Sequence, residues 1–259
     1  MEKQNLNTST TALKALRVLE AVAYASTSVS TSDVADSVDM DKAAVYRMLI
    51  TLVNAGYVLR DENSKRYRLG YKVVSLSRNL LAENKISRLV RHTIEEISTE
   101  TGETVHYSVL DGNETVLVQK VKGNQLIAVD FQIGDRARMH CTAIGKVMLA
   151  YQDDRFIESI IDAGLQKFAS KTFTHPDELK KELRRVRSEG YAIDDHELSD
   201  DMRCVAAPIF EGSGSVRSGI SISGPDSRFD MTKLLELKIP MMKSAKKLSE
   251  QIGGSPWSQ

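Results

Sequence analysis

The first seventy residues alternate apolar positions at helical spacing with short polar turns. Residues 8–23 repeat apolar side chains at intervals of three and four, which predicts an amphipathic helix. Capping residues at 30–33 and at 39–41 precede two more helical stretches. Two strand-like runs, 57–60 and 66–69, then flank a polar turn and predict a β-hairpin. Three helices followed by a hairpin are the element order of a winged helix-turn-helix.

The rest of the chain changes from helical periodicity to that of strands. Apolar positions in residues 71–100 predict two further helices, with a break at Asn84. We predict strands at 104–110, 115–121, 126–133, 191–194, 203–210 and 216–223. We predict helices at 142–151, 154–163, 176–188 and 231–252. A mostly antiparallel sheet with helices packed against it makes this part an α+β domain.

Composition narrows the class of protein. The chain has 259 residues, of which 41% are hydrophobic and 27% charged, and no apolar run approaches the length of about 18 residues typical of a membrane span. Cys141 and Cys204 form no CxxC pair, so the sequence predicts no disulfide framework and favours a reducing compartment. Because the N-terminus also lacks the apolar core of a signal peptide, we expect a cytoplasmic protein.

The formal net charge of zero hides an asymmetry. Residues 1–80 carry 11 Lys or Arg against eight Asp or Glu, so this part is positive and the remainder is equally negative. The positive charge is concentrated between Arg60 and Arg78. A basic stripe of this kind is typical of proteins that bind polyanions, although an ordinary solvated face has the same pattern.

The third helix favours one of these interpretations. Away from its apolar side it carries Lys42, Ala43, Tyr46 and Arg47. In a winged helix this element enters the major groove, where Arg and Lys reach base edges or phosphates and Tyr binds a phosphate. Together with cations on the hairpin, these residues indicate binding of double-stranded DNA. The hairpin cations are Lys65, Arg66 and Arg68.

Several short motifs, in order along nearly the whole chain, carry a resemblance to a known family. They are Ala44-Val-Tyr-Arg-Met-Leu, Asn54-Ala-Gly-Tyr-Val, Arg66-Tyr-Arg-Leu-Gly, Thr101-Gly-Glu-Thr-Val-His, His140-Cys-Thr-Ala-Ile-Gly-Lys, Glu189-Gly-Tyr-Ala-Ile-Asp-Asp, Met202-Arg-Cys-Val-Ala-Ala-Pro-Ile-Phe and Ser221-Ile-Ser-Gly-Pro. In their order and spacing, the chain resembles the IclR family of bacterial transcriptional regulators.

The resemblance implies an α+β protein in three parts. These are a winged helix-turn-helix DNA-binding domain at 1–72, a linker helix at 73–84, and a GAF-like effector domain with an antiparallel sheet at 85–259. It also implies a homodimer or homotetramer on palindromic operator DNA, with a small organic, aromatic or sugar acid as effector. The expected function is a ligand-responsive transcriptional regulator, with repression favoured, that is not an enzyme and uses no cofactor.

One pair of residues departs from the family pattern. Members commonly carry a Ser-Thr pair early in the recognition helix, where this chain has Ala43 and Ala44. Two hydroxyls that bind phosphate are thereby replaced by methyl groups that can contact the methyl group of thymine. The change bears on which operator sequence is bound and leaves the prediction of DNA binding intact.

The resemblance further implies a set of effector-binding residues: an apolar wall, two backbone amides that open a helix and hold an anion, and polar side chains. The apolar wall consists of Leu126, Val129, Ala137 and Met202, and the two amides belong to Ala143 and Ile144. The polar side chains are those of Asp194, Cys204, Ser221 and Ser223. Strand alternation supports one pair independently, because Ser221 and Ser223 lie two apart and face the same side. For this pair, an ordinary solvent-facing side of a strand is the alternative.

Other residues near this set have two interpretations each. His106 shares a strand face with Ser108, so it is either a ligand contact or a packed or surface histidine. Arg136 and Arg138 either attract an anion to the mouth of the site or are simply solvated.

Three other functions stay open at this point. An enzyme would use Cys204 or Cys141 as nucleophile and His140 as base, although the sequence has no nucleophile elbow, HExxH or Walker A motif. A zinc-containing sensor would bind the metal through these three residues and Asp194, whose spacing is not compact. An architectural DNA binder would need the C-terminal half only for oligomerisation.

Overall fold

A computed structural model describes residues 8–81 and 85–255 of the chain. The chain forms two compact units, Met1–Ala82 and Glu83–Gln259. The predicted helix break at Asn84 lies outside the described residues. Among the residues described, no helix combines the length and the apolar character needed to cross a membrane.

The N-terminal unit has the predicted order of helices and hairpin. Its elements are α1 (Thr10–Ala23), α2 (Thr31–Val38), α3 (Lys42–Asn54), β1 (Val58–Arg60), β2 (Tyr67–Leu69) and α4 (Lys72–Leu81). Strands β1 and β2 pair antiparallel, and Tyr67 also exchanges backbone hydrogen bonds of 2.7 and 2.9 Å with Val29. The winged helix-turn-helix predicted from the sequence is therefore confirmed.

Local sequence fixes where two of these helices begin and where one ends. Ser30 and Asp33 each accept a hydrogen bond from the other's backbone N–H, which forms a capping box at the start of α2. Asp41 accepts a hydrogen bond of 3.0 Å from the backbone N–H of Ala44 and caps α3. Gly56 follows α3 with a φ of 80°, which side chains with a Cβ rarely adopt, so glycine ends this helix.

Apolar side chains from the three helices and the hairpin form the core of this unit: Val18, Val22, Val34, Ala35, Val45, Leu49, Val58 and Tyr67. Other apolar side chains lie outside it. Leu13 and Leu16 of α1 are exposed, and so are Val74 and Leu76 of α4, the predicted linker helix.

The C-terminal unit is built on one six-stranded sheet. Its elements are α5 (Lys85–Thr101), β3 (Val105–Asp111), β4 (Glu114–Val121), β5 (Arg136–Arg138), α6 (Ala143–Leu149), α7 (Asp154–Asp162), α8 (Pro176–Glu189), β6 (Ala192–Asp195), β7 (Met202–Phe210), β8 (Val216–Pro225) and α9 (Met231–Gln251). The strand order is β5-β4-β3-β8-β7-β6, and each neighbouring pair is antiparallel. The predicted α+β class is confirmed.

The sheet separates two apolar cores, and strand alternation assigns the residues of β7 to them. Val205, Ala207 and Ile209 pack with residues of α5 and α9 on one face. Cys204 and Ala206 face residues of α6, α7 and α8 on the other. The second face is the one that carries the predicted effector-binding residues of β7.

The predicted strand at 126–133 is wrong. These residues form an irregular segment, and the strand that pairs with β4 is instead the short β5, which the sequence pattern did not predict. Side chains take the place of a strand partner: Lys120 donates to the carbonyl of Phe131 at 2.6 Å, and Arg228 donates to the carbonyl of Ile127 at 2.9 Å. Backbone polar groups must be satisfied, and these long cations satisfy them without a β-ladder.

Candidate nucleic-acid interface and ligand cavity

The outward face of α3 carries side chains that are free to contact another molecule. Lys42, Ala43, Tyr46 and Arg47 are exposed, whereas Ala44 is half-buried at the capped start of the helix. Within the described residues, the side chains of Lys42 and Arg47 have neither an ion pair nor a hydrogen bond. A recognition helix presents free cations of this kind to DNA.

The hairpin cations differ in what they contact. Lys65 and Arg68 are exposed, as expected of phosphate contacts. Arg66 instead donates to the carbonyl of Ser28 at 2.8 Å and to the carboxylate of Asp33 at 3.1 Å. Since Asp33 belongs to the capping box of α2, Arg66 joins the hairpin to that helix.

A cavity of about 300 Å³ lies in the C-terminal unit, between the strands of the sheet and the start of α6. This volume is at the small end of the usual range for ligand sites. Eight of the ten predicted effector-binding residues line it: Ala137, Ala143, Ile144, Asp194, Met202, Cys204, Ser221 and Ser223.

Two predicted residues lie outside the lining. The side chain of Leu126 is fully exposed, so the structure does not bring it to the apolar wall where the sequence analysis expects it. Val129 is partly buried and packs against the core beside the cavity. Both belong to the segment predicted as a strand, so the error in the element carries over to the site. Apolar lining residues that sequence reasoning missed are Leu117, Phe131, Phe168 and Leu198.

Strand pairing gathers polar side chains at one end of the cavity. Ser221 lies opposite both His106 of β3 and Ala206 of β7, and Ser223 lies opposite Cys204. The Sγ of Cys204 and the Oγ of Ser223 are 2.6 Å apart. We call this group the buried end; it extends across four strands, from His106 on β3 to Asp194 on β6. Its members, each at most 7% exposed, are His106, Ser108, Asp194, Cys204, Ser221 and Ser223.

Asp194 is completely buried and only half satisfied. One carboxylate oxygen accepts hydrogen bonds from the backbone N–H groups of Glu197 at 2.8 Å and Leu198 at 3.4 Å, while Oδ2 has no partner in the part of the chain described. Burial raises the pKa of Asp194 to about 6, so most of it is ionised at pH 7. A buried carboxylate oxygen of this kind requires a hydrogen-bond donor from a ligand or from water.

His106 is also buried without hydrogen bonds. It is 3% exposed, its ring packs edge-on against Phe131 with centroids 5.7 Å apart, and neither ring nitrogen has a partner among the residues described. Burial, assisted by the charge of Lys120, lowers the pKa of His106 to about 4. The imidazole is therefore neutral at pH 7 and offers one N–H donor and one acceptor nitrogen to the cavity.

The opposite end of the cavity is exposed and charged. Arg136 donates to Glu114 at 2.7 Å and pairs with Asp111 at 2.9 Å, and Arg138 pairs with Glu114 at 3.1 Å. These side chains are a quarter to two thirds exposed. The two arginines are the cations that line the cavity.

Sequence reasoning missed a buried ion-pair network behind the cavity. Lys146 of α6 is completely buried, and its Nζ donates to the carbonyl of Ile193 at 2.7 Å, to Glu197 at 2.5 Å and to Glu182 at 3.1 Å. Glu197 in turn supplies the backbone N–H that binds Asp194, so the network helps to position that carboxylate. The available signal was a single charged residue within an otherwise apolar helix.

The residues of the enzyme and zinc hypotheses are arranged for neither chemistry. The Nε2 of His140 lies 2.9 Å from the backbone carbonyl oxygen of Gln166, so this nitrogen pairs with that carbonyl and not with a cysteine thiol. Burial raises the pKa of Cys141 to about 12 and the pKa of Cys204 well above its usual range, which keeps both as weakly nucleophilic thiols. In the described ranges, no three His, Cys, Asp or Glu side chains are grouped to hold a metal ion.

A helix-turn-helix unit with free cations, followed in the same chain by an α+β unit with a small-molecule cavity, defines the class of transcriptional regulators. Comparison with family models names the family. Residues 11–62 match the IclR helix-turn-helix domain, and residues 78–250 match the bacterial transcriptional regulator IclR C-terminal domain. The chain belongs to the IclR family of bacterial transcriptional regulators.

Individual relatives are similar over almost their full length. The HTH-type transcriptional regulator KdgR of Escherichia coli K12 is 31% identical over 242 residues, which cover 93% of this chain and 92% of KdgR. The crystal structure of IclR from Thermotoga maritima has 32% identity and a TM-score of 0.74, and the match covers 94% of this chain and 98% of that one. An IclR homologue from Microbacterium hydrocarbonoxydans, solved in complex with 4-hydroxybenzoate, shares the fold at 19% identity and a TM-score of 0.77 over 93% of this chain and 98% of its own.

Proposed function

We propose that the protein is a ligand-responsive regulator in which a small organic acid, bound in the cavity, changes the affinity for operator DNA. One observation carries the effector half of this proposal. The buried end of the cavity holds polar atoms of Asp194 and His106 that lack partners among the described residues. Packed cores satisfy their polar groups, whereas binding sites leave them for the ligand.

In the DNA complex, α3 enters the major groove. Arg47 contacts base edges, Lys42 and Tyr46 contact phosphates, and the methyl groups of Ala43 and Ala44 face the bases. The exposure of four of the five side chains supports this assignment, whereas Ala44 is half-buried. On the hairpin, Lys65 and Arg68 contact phosphates. Their neighbour Arg66 holds the hairpin in position through its bonds to Ser28 and Asp33.

The effector is a small acid whose anionic group lies towards the exposed end of the cavity. Arg136 and Arg138 supply guanidinium groups there, although both are paired with Glu114, and the backbone amides of Ala143 and Ile144 open α6 along the lining. The homologue solved with 4-hydroxybenzoate supports an organic acid as the ligand class. A cysteine nucleophile is disfavoured here, because burial raises the pKa values of both thiols and keeps them protonated.

The regulator acts in the cytoplasm as a homodimer or homotetramer. Exposed apolar side chains on α1 and α4, among them Leu16 and Val74, are available for contacts between copies. Two operator half-sites then match two recognition helices. We propose repression, because a protein that occupies an operator can block transcription without any contact to the polymerase.

A mobility-shift titration tests both halves of the proposal. DNA from upstream of the protein's own gene and of its neighbours is titrated in excess random DNA, with and without a panel of small organic acids. We expect a specific shift that one acid alters. If no fragment gives a specific shift, the helix-turn-helix does not act as an operator-binding domain.

A matched pair of double variants tests the cavity. Ser221→Ala with Ser223→Ala should preserve the shift and weaken the response to the acid, because both hydroxyls line the cavity. Ser213→Ala with Ser215→Ala makes the same change at two residues of the turn between β7 and β8 and should leave the response intact. An acid response that is unchanged in the first variant would remove these serines from the site.

A further inference from the structure

Two segments of the chain border the mouth of the cavity. Among the described residues that line the cavity, four are exposed: Asp135, Arg136 and Arg138, in and just before β5, and Phe168. The other lining residues are buried or half-buried, so the cavity opens to solvent between β5 and Phe168. The ring of Phe168, which is 41% exposed, therefore forms one edge of the mouth.

Phe168 belongs to a long loop without regular structure. This segment, which we call the mouth loop, comprises the thirteen residues 163–175 between α7 and α8 and forms neither helix nor strand. Unstructured loops longer than about 12 residues are uncommon in compact domains and often act as lids over sites. Between Gln166 and Lys171 only Ala169 is buried, so little apolar burial holds this part of the loop in place.

One buried hydroxyl group fastens the mouth loop to the turn after β6. The Oγ1 of Thr172 accepts hydrogen bonds from the backbone N–H groups of Phe168 at 3.0 Å and Ala169 at 2.8 Å. In its shortest contact it donates to the backbone carbonyl of Glu197 at 2.6 Å. These bonds use the single donor and both acceptor positions of a hydroxyl group. Thr172 therefore positions the segment that carries Phe168.

Further contacts between the mouth loop and this region lie nearer the surface. Lys171 donates its backbone N–H to the carbonyl of His196 at 3.0 Å, and its Nζ pairs with Asp195 at 2.6 Å. Ser170 donates its backbone N–H to the carboxylate of Asp200 at 3.0 Å. Exposed pairs of this kind contribute little each, so the buried hydroxyl group is the main fastening of the loop.

The turn that receives this fastening is itself tied to the cavity and to the core. The backbone N–H of Glu197 donates to Asp194, and its carboxylate accepts a hydrogen bond from the buried Lys146. The next residue, Leu198, lines the cavity, as Asp194 does. A ligand that touches Leu198 on one side and Phe168 on the other therefore lies between the loop and the turn that anchors it.

We propose that the mouth loop is a lid, which opens to admit and release the ligand and which the hydroxyl group of Thr172 holds closed. The inference rests on the proposed function, since a lid has a use only where the cavity takes a ligand. It adds control of the rates of binding, because a ligand under a closed lid dissociates only when the lid opens.

Two buried thiols measure the opening of the lid in protein without ligand. Cys204 lines the cavity, whereas Cys141 is completely buried and is not among the lining residues. The full-length protein is labelled with N-ethylmaleimide, and mass spectrometry of its peptides gives the rate at each cysteine. We expect Cys204 to react at least about tenfold faster than Cys141, because local opening costs less free energy than unfolding of the core. Equal rates would mean that global unfolding exposes both thiols and would overturn the inference.

Thr172→Val tests the fastening, because it removes the hydroxyl group and keeps the shape of the side chain. It should speed the labelling of Cys204 at least about fivefold and leave that of Cys141 unchanged. The control Thr99→Val, on the exposed face of α5, removes a hydroxyl group that donates to the carbonyl of Glu95 and should change neither rate. An unchanged rate at Cys204, or equal acceleration of both thiols, would contradict the role of Thr172.

Hydrogen exchange of the wild-type protein decides the matter should Thr172→Val not fold. The backbone amides of Phe168 and Ala169 should exchange at least about tenfold faster than those in the middle of α8, and equal rates would contradict a loop that opens on its own.

The labelling experiment uses no acid, so the lid and the proposed function fail separately. If an acid binds and alters operator affinity while Cys204 reacts no faster than Cys141, only the lid is refuted. If Cys204 reacts as expected but no acid binds, only the acid effector is refuted.

Discussion

Both candidate binding regions contain polar groups without partners among the described residues, yet the same feature carries different weight in each. Lys42 and Arg47 on α3 are exposed, so water satisfies them and their freedom costs the fold little. His106 and Asp194 are buried in the cavity, where an unsatisfied polar group costs about 1–3 kcal/mol. Unpaired groups inside the protein are therefore the stronger sign of a ligand, whereas those on α3 gain their meaning from the helix that carries them.

The largest effect is expected when a buried charge loses its partner. Lys146→Met should lower the free energy of unfolding by about 3–5 kcal/mol, because Glu182 and Glu197, the second with a pKa that burial raises to about 7, would lose the cation they share. Chemical denaturation followed by circular dichroism measures the loss. The control is Lys180→Met, which breaks a 2.6 Å ion pair with Glu158 on the surface and should cost less than about 1 kcal/mol. Equal losses would mean that the buried network contributes no more than a surface pair.

The next effect is a pH dependence that follows from His106. The pKa of an unfolded histidine is about 6.5, whereas that of native His106 is about 4, so on acidification the unfolded chain binds a proton that the native protein does not. As the pH falls from 6.5 towards 4, this residue should lower the free energy of unfolding by up to about 3 kcal/mol. Lys120 strengthens the effect and Asp130 opposes it.

His106→Leu isolates this contribution. Its free energy of unfolding should decline less than that of the wild-type protein over the same pH range, so the difference between the two grows as the pH falls. Denaturant titrations at half-unit pH steps measure both curves. His92→Leu, at an exposed position, should follow the wild-type curve. Parallel curves for His106→Leu and wild type would mean that His106 is not buried as a neutral ring.

A smaller effect distinguishes base contacts from phosphate contacts on α3. Arg47→Ala should weaken binding to the specific operator by about 1–3 kcal/mol and affect random DNA much less, if the guanidinium reads a base edge. Mobility shifts on both kinds of DNA give the two affinities. Equal losses on specific and random DNA would show that Arg47 contacts only phosphate.

The smallest effect concerns two neighbouring cations of the hairpin. Lys65→Ala should reduce the slope of log affinity against log salt by about 1 and leave sequence preference unchanged, because an exposed Lys contacts phosphate. Arg66→Ala should also reduce thermal stability, since it removes the bonds to Ser28 and Asp33. If Arg66→Ala behaved like Lys65→Ala in both measurements, its positioning role would be wrong.

Local sequence predicted the features that depend on local physics. The caps at Ser30 and Asp41 and the glycine at Gly56 mark helix ends whatever the rest of the chain does. The shared face of Ser221 and Ser223 was also predictable from local sequence, because alternation along one strand places both side chains on one side of the sheet.

Features that depend on distant partners could not be predicted in this way. Segment 126–133 has the composition of a strand, but β5 takes the place beside β4. Lys120 satisfies a backbone carbonyl of this segment, which forms no strand, and Leu126 is exposed. The partners of Lys146 come from α8, β6 and the turn after β6, at sequence separations of 36 to 51 residues. The isolation of His106 at the buried end is likewise a property of what surrounds it in space.

The direct test of a ligand-responsive regulator is the linkage between its two sites. The affinity of the full-length protein for its operator is measured with and without a saturating acid that calorimetry shows to bind, and the affinity for that acid is measured with and without operator DNA. We predict that the acid changes operator affinity at least about fivefold, and that the operator changes acid affinity by the same factor, as linkage requires. An operator affinity that is identical with the cavity filled and empty would contradict the proposed function.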